Sequence, residues 1–118
     1  MQYMILIHGE ESTWATMPPA EAQAAFASYM AYNQELVAAG VMRGGGQLKP
    51  THTATTVRVR SGAVQLTDGP FAETKEQFGG YYLIEVADLD AALAWAAKCP
   101  GALVGSVEVR PIMYNPAP

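Results

Sequence analysis

Gly79-Gly80-Tyr81-Tyr82-Leu83-Ile84-Glu85-Val86 reads as a β-strand that is apolar on both faces, with Tyr82, Ile84 and Val86 pointing one way and Tyr81 and Leu83 the other. Such a strand needs cover on both sides. Just beyond it, Asp88 has the chemistry of an N-cap, and Leu89, Ala92, Leu93 and Ala96 form a helical stripe. Lys98 complements the C-terminal dipole, and Pro100 ends the run. Val104 to Pro111 then alternates, with Val107 and Val109 toward the core and Ser106, Glu108 and Arg110 away from it.

Working back from the same strand, Gln2 to His8 repeats the two-faced pattern, with Met4 and Leu6 opposite Tyr3, Ile5 and Ile7. Pro18-Pro19 opens an Ala-rich stretch in which Ala22, Phe26, Tyr29, Met30 or Asn33, and Leu36-Val37 recur at helical spacing until Gly40, so a helix is expected over Pro18 to Ala39. Gly44-Gly45-Gly46 is too glycine-rich for a helix. It is expected to join a short strand at Val41 to Arg43 to another near Gln47 to Lys49, with a bulge or a close backbone approach. Ala54 to Arg60 and Ala63 to Thr67 flank Ser61-Gly62. A two-residue turn there sets Val59 opposite Val64 and Val57 opposite Leu66 on one face, leaving Arg58, Arg60 and Gln65 on the other.

The resulting order is the α+β, ferredoxin-like β-α-β-β-α-β arrangement with an extra hairpin strand. Its two helices cover one sheet face only. The other face is therefore expected to pack on the identical sheet of a second chain, giving a homodimer. The tail Asn115-Pro116-Ala117-Pro118 is expected to be mobile.

At 118 residues, half of them apolar, the chain is expected to form a single domain over its whole length, with a core that requires no disulfide or metal staple. A net charge of -4 and a charged fraction of 15% offer no basic stripe for phosphate backbones or anionic membranes, so neither nucleic acid nor membrane is an expected partner. Cys99 is the sole cysteine and has no His or Cys at ligand spacing; a reducing cytoplasm fits, and neither a metal nor another cofactor is implied.

The run Asp68-Gly69-Pro70-Phe71-Ala72-Glu73-Thr74-Lys75-Glu76, followed by Gly79-Gly80-Tyr81-Tyr82, closely resembles the DGPF branch of the YCII-related family. Tyr3 to Ile7 and Cys99-Pro100 through Arg110-Pro111 extend that resemblance nearly end to end. The resemblance implies a dimeric α+β barrel and association with extracytoplasmic-function sigma factors. A better-described branch of the family carries a His on the first helix and an Asp near its end. Setting Gly40 on the glycine that ends that helix puts Tyr29 and Ala38 at those places, so this dyad is absent here.

The same charged run supplies most candidate site residues. Asp68, Glu73 and His8 are the candidate acid-base groups, and Lys75, Glu76, Phe71, Tyr81 and Arg110 the candidate ligand contacts. A cation between carboxylates beside Phe71, Phe78 and Tyr81 suits a polar ligand against an apolar wall. Plainer accounts compete at each position. Asp68-Gly69-Pro70 is a turn sequence, Glu73, Lys75 and Glu76 have the look of solvated surface charge, and a lone His at a strand end is more often structural. Arg58, Arg60, Glu85, Glu108 and Arg110 would line a polar barrel interior if they shared the dimer-facing side. Edge charges that discourage aggregation are the competing account. Three functions fit: a ligand-binding or regulatory accessory module, a metal-independent small-molecule enzyme using the loop from Asp68 to Glu76, and, behind these two, a purely structural dimer.

Overall fold

The computed structural model describes residues 1–116; the expectation of a mobile tail falls in part on Ala117 and Pro118, which lie outside the described residues. The chain runs β1 (Gln2–Gly9), α1 (Glu11–Ala15), α2 (Pro19–Ala38), β2 (Met42–Gln47), a 3-10 turn (Thr51–Thr53), β3 (Thr55–Arg60) and β4 (Ala63–Asp68). It continues through β5 (Gln77–Glu85), α3 (Leu89–Lys98), α4 (Gly101–Val104) and β6 (Ser106–Pro111). The strands β2-β5-β1-β6 form one antiparallel sheet, and β3 and β4 form a separate two-stranded ribbon. This is the expected ferredoxin-like α+β architecture. No helix among the described residues is long and apolar enough to cross a membrane.

Alternation places the core between the sheet and α2 and α3. Ile5 on β1, Leu36 on α2, Ile84 on β5 and Cys99 after α3 are all 0% exposed, with Tyr3, Tyr32, Tyr82, Ala92 and Ala96 packed around them. Tyr32 ties the layers together, donating its hydroxyl to the Trp95 carbonyl at 2.8 Å and meeting the Tyr82 ring edge-on at 5.3 Å. Asp88 caps α3 as expected, its carboxylate accepting from the Ala91 N–H at 2.9 Å. Gly40, at φ +72°, ends α2 in the double-bonded glycine motif, with Val41 N–H donating to the Leu36 carbonyl and Gly40 N–H to that of Val37.

Four expectations are corrected. The buried face of α2 carries Tyr32 and Leu36, whereas Phe26 and Val37 are exposed, because an Ala-rich helix gives little contrast between its faces. The glycine run does not separate two strands: β2 passes through it, with its irregularity at Arg43. Strand pairing tolerates glycine here because the Gly45 position lies so close to the Tyr81 carbonyl that a Cβ would sit 2.8 Å from that oxygen. Two short helices, α1 and α4, stand where connecting segments or strand were expected. The hairpin does not extend the main sheet, so Arg58 and Arg60 do not share a sheet with Glu85, Glu108 and Arg110. Its register is nevertheless the expected one, Val59 facing Val64 and Val57 facing Leu66, around a turn in which Ser61 and Gly62 both take positive φ.

Candidate ligand cleft

Only the C-terminal half of α2 is buried against the sheet; its N-terminal half stands away and roofs a cleft of about 900 Å³. The volume exists because the sheet beneath has no side chains to fill it. Gly45 on β2 and Gly80 on β5 lie on the helix-facing side, and Gly46 and Gly79 sit beside them. The walls are apolar and aromatic: Trp14 from α1, Phe26, Tyr29 and Met30 from α2, and Tyr82 from β5. Lys49 and His52 border the cleft on the segment that follows β2. Concave, mostly apolar sites with a few convergent polar groups are the usual form of small-molecule sites.

The polar groups inside are hydroxyls and amides. Tyr82 donates its hydroxyl to Asn33 Oδ1. Burial pushes the Tyr82 phenol up to about 12 and raises that of Tyr29 further still; Tyr29 is also held up by the neighbouring Cys99. The Cys99 thiol is itself raised by burial. These groups stay protonated at neutral pH, so they serve as hydrogen-bond donors and not as bases. Glu11 is spent on architecture: its carboxylate accepts from the N–H and the hydroxyl of Thr51, both at 2.7 Å, and its own N–H donates to Gln77 Oε1 at 2.9 Å. Those bonds fix the end of the cleft. Among the described residues no cluster of three potential metal ligands comes together.

The candidates named from sequence are distributed over three places. Tyr81 borders the cleft floor, but it alternates with Tyr82, and its ring, lying along Gly46, belongs to the open face of the sheet with Leu6. His8 borders it, but its imidazole turns to the open sheet face, where Nε2 lies 3.5 Å from Glu108 Oε1 and the ring packs on Phe78 at 5.5 Å. Arg110 holds the same Glu108 carboxylate, and its hydrogen bond is the main reason that carboxyl falls below its ordinary range. Glu76 accepts from the Ser106 hydroxyl at 2.7 Å. Asp68 ends β4, and Gly69 after it takes φ +103°, as a turn requires. Phe71 is exposed and lies 5.4 Å from the Arg58 guanidinium; Phe78 stacks instead on His8. Glu73 is exposed, and Lys75, 89% exposed, approaches Glu10 at 3.9 Å. Asp68, Phe71, Glu73, Lys75, Glu76 and Arg110 do not line the cleft.

Sequence reasoning passed over the residues that shape the cleft. Their signal is present: Gly44-Gly45-Gly46 and Gly79-Gly80 fall opposite each other on paired strands, beneath helical positions 26, 29, 30 and 33.

Comparison with known proteins follows the same outline. The model of the YCII-related domain matches residues 1–115. The uncharacterized protein R00369 of Rhizobium meliloti (strain 1021) is 39% identical over 119 residues, covering 98% of this chain and 96% of that one. Among solved structures, 5-chloro-2-hydroxyhydroquinone dehydrochlorinase (TftG) from Burkholderia phenoliruptrix AC1100, in complex with 2,5-dihydroxybenzoquinone, superposes with a TM-score of 0.50 at 15% identity. The match covers 98% of this chain and 96% of TftG, a likeness of fold.

Proposed function

Since the chain belongs to the YCII-related family, we propose that it is a small-molecule-binding module whose ligand lies in the glycine-floored cleft between α2 and the β2–β5 edge of the sheet. The floor carries the reading. With no side chains at Gly45 and Gly80, a flat molecule can lie against backbone while Trp14 and Phe26 contact its faces and edges. Tyr29, Tyr82 and Asn33 offer hydrogen bonds to hydroxyl or carbonyl groups, and Lys49 and His52 favour a partial negative charge at the mouth. The ligand class is a small planar, aromatic or quinonoid molecule with oxygen on its rim.

Binding is favoured over catalysis because the buried phenols are poor proton acceptors and His8 is turned to Glu108. The acid-base alternative at Asp68 to Glu76 needs a concavity there, and those side chains are largely exposed. We further place the module in a homodimer through the open face of the sheet. As an accessory module it would report ligand occupancy to a partner; a sigma factor is the partner implied by the DGPF resemblance.

2,5-Dihydroxybenzoquinone, the molecule in the TftG complex, is the first probe for calorimetric titration. Ala25, which lines the cleft from α2, is the position to block it. Ala25→Trp is expected to weaken probe binding tenfold or more, about 1.4 kcal/mol, without lowering the melting temperature. Equal affinity in the two proteins would remove the cleft as the site.

A further inference from the structure

The cleft continues past its glycine floor. A second hollow of about 210 Å³ opens between α1, α2 and α4. Trp14, Ala25, Tyr29 and Val104 belong to the walls of both spaces, and so do Gly9 and Gly101, so the hollow is an annex that meets the cleft at these residues. The neck repeats the construction of the floor. Gly101 lies so close to Tyr29 that a Cβ there would sit 2.8 Å from the phenol oxygen and 2.7 Å from Ile7 Cγ2, and a Cβ on Gly9 would face the Trp14 indole nitrogen at 3.9 Å. Bare backbone meets an aromatic ring on each side.

Beyond the neck the chemistry changes. The cleft offers Tyr82, Asn33, Lys49 and His52, whereas the annex adds the apolar Met17, Pro100 and Leu103. Of the polar side chains around it, Ser28 donates its hydroxyl back to the Ala24 carbonyl at 3.0 Å, Glu10 lies 3.9 Å from Lys75, and Thr13 is exposed at the rim. Leu103 and Val104, on the one-turn helix α4, are 86% and 76% exposed, an apolar pair with nothing of this chain to cover it. An apolar cavity of roughly 150 Å³ is enough to take up benzene, and the annex is larger.

We propose that the annex is a tail subsite: the ligand whose flat, oxygen-rimmed head lies on the glycine floor carries a short apolar side chain, which passes the neck at Tyr29 and covers Met17, Leu103 and Val104. The length that fits is up to about six carbons, by comparison with benzene. The inference rests on the cleft reading and deepens it, since the ligand class becomes a hydroxylated quinone or phenol bearing a short alkyl group. The opposite orientation is disfavoured, because head oxygens turned into the annex would lose their hydrogen-bond partners. Tyr29, at the neck, is placed to donate to the ring oxygen beside the substituent.

Calorimetric titration with two probes tests it: 2,5-dihydroxybenzoquinone and its 3-pentyl derivative. In the wild type the pentyl compound is expected to bind at least tenfold more tightly, a buried methylene being worth roughly fourfold. Leu103→Asp places a carboxylate at the annex alone, on a side chain exposed enough that the fold is not at risk. It is expected to leave the affinity for the parent quinone unchanged and to reduce the pentyl gain to about threefold or less. Val64→Asp, at an exposed position on β4 outside both spaces, should keep the full gain. A pentyl compound no tighter than the parent, a gain that survives Leu103→Asp, or a gain lost equally in Val64→Asp overturns the tail subsite and leaves the cleft standing. Failure of both probes to bind the wild type overturns the cleft reading, and the subsite with it.

Discussion

Replacing Leu36 with alanine is expected to destabilise the domain by about 2–5 kcal/mol, the range for truncating a fully buried leucine. Leu36 is one of the two buried residues of α2, with Tyr32, and it lies in the cluster with Ile5 and Ile84. Beyond the lost transfer energy, the variant leaves a cavity where the helix grips the sheet. A domain of this size has only about 5–15 kcal/mol of stability in total. The loss is measurable by urea denaturation, where the midpoint falls and the slope stays constant. Because the same helix roofs the cleft, Leu36→Ala should weaken ligand binding as well, although the side chain does not line it. Unchanged stability would mean that α2 is held by something other than this contact.

Gly105→Ala is expected to cost about 3 kcal/mol or more, at the upper end of overpacking changes. A Cβ on residue 105 would sit 2.2 Å from the His8 carbonyl oxygen and 3.2 Å from Gly9 Cα. Both obstacles are backbone atoms, which no rotamer change can clear. Relief requires α4 and the start of β6 to separate from the end of β1, where His8 pairs with Ser106. Thermal unfolding should show a melting temperature lower by roughly 10 °C or more. Loss of fold need not be complete for the test to work: hydrogen exchange at Val107 and Val109 should accelerate before exchange at Ile84 does.

The strands and their facing were legible in the sequence because alternation is a strong local signal. Tyr3, Ile5 and Ile7 against Met4 and Leu6 predict the observed faces of β1, and Ser61-Gly62 fixes both the turn and the register of the hairpin. Caps were legible for the same reason, since Asp88 and Gly40 act on backbone groups a few residues away. The buried side of α2 was not, because alanines occur all around the helix and the choice of Tyr32 over Phe26 is made by the sheet it meets. The cleft was hidden for a related reason. Glycine pairs on β2 and β5 announce a bulge or a close approach, and they become a floor only when a helix stands off above them. Conversely, the charges from Asp68 to Glu76 were conspicuous in sequence, yet hydrogen bonds within the loop, such as that from the Thr74 hydroxyl to the Glu76 carbonyl at 2.6 Å, say nothing of where a ligand would lie.

The cleft and that loop therefore make opposite claims on a ligand, and amide chemical shifts separate them. Titrating nitrogen-15-labelled protein with 2,5-dihydroxybenzoquinone should move the amide signals of Gly45, Gly46, Gly79 and Gly80, which form the cleft floor, and leave those of Ala72 to Lys75 in place. Shifts confined to the loop with an unmoved glycine floor would contradict the account.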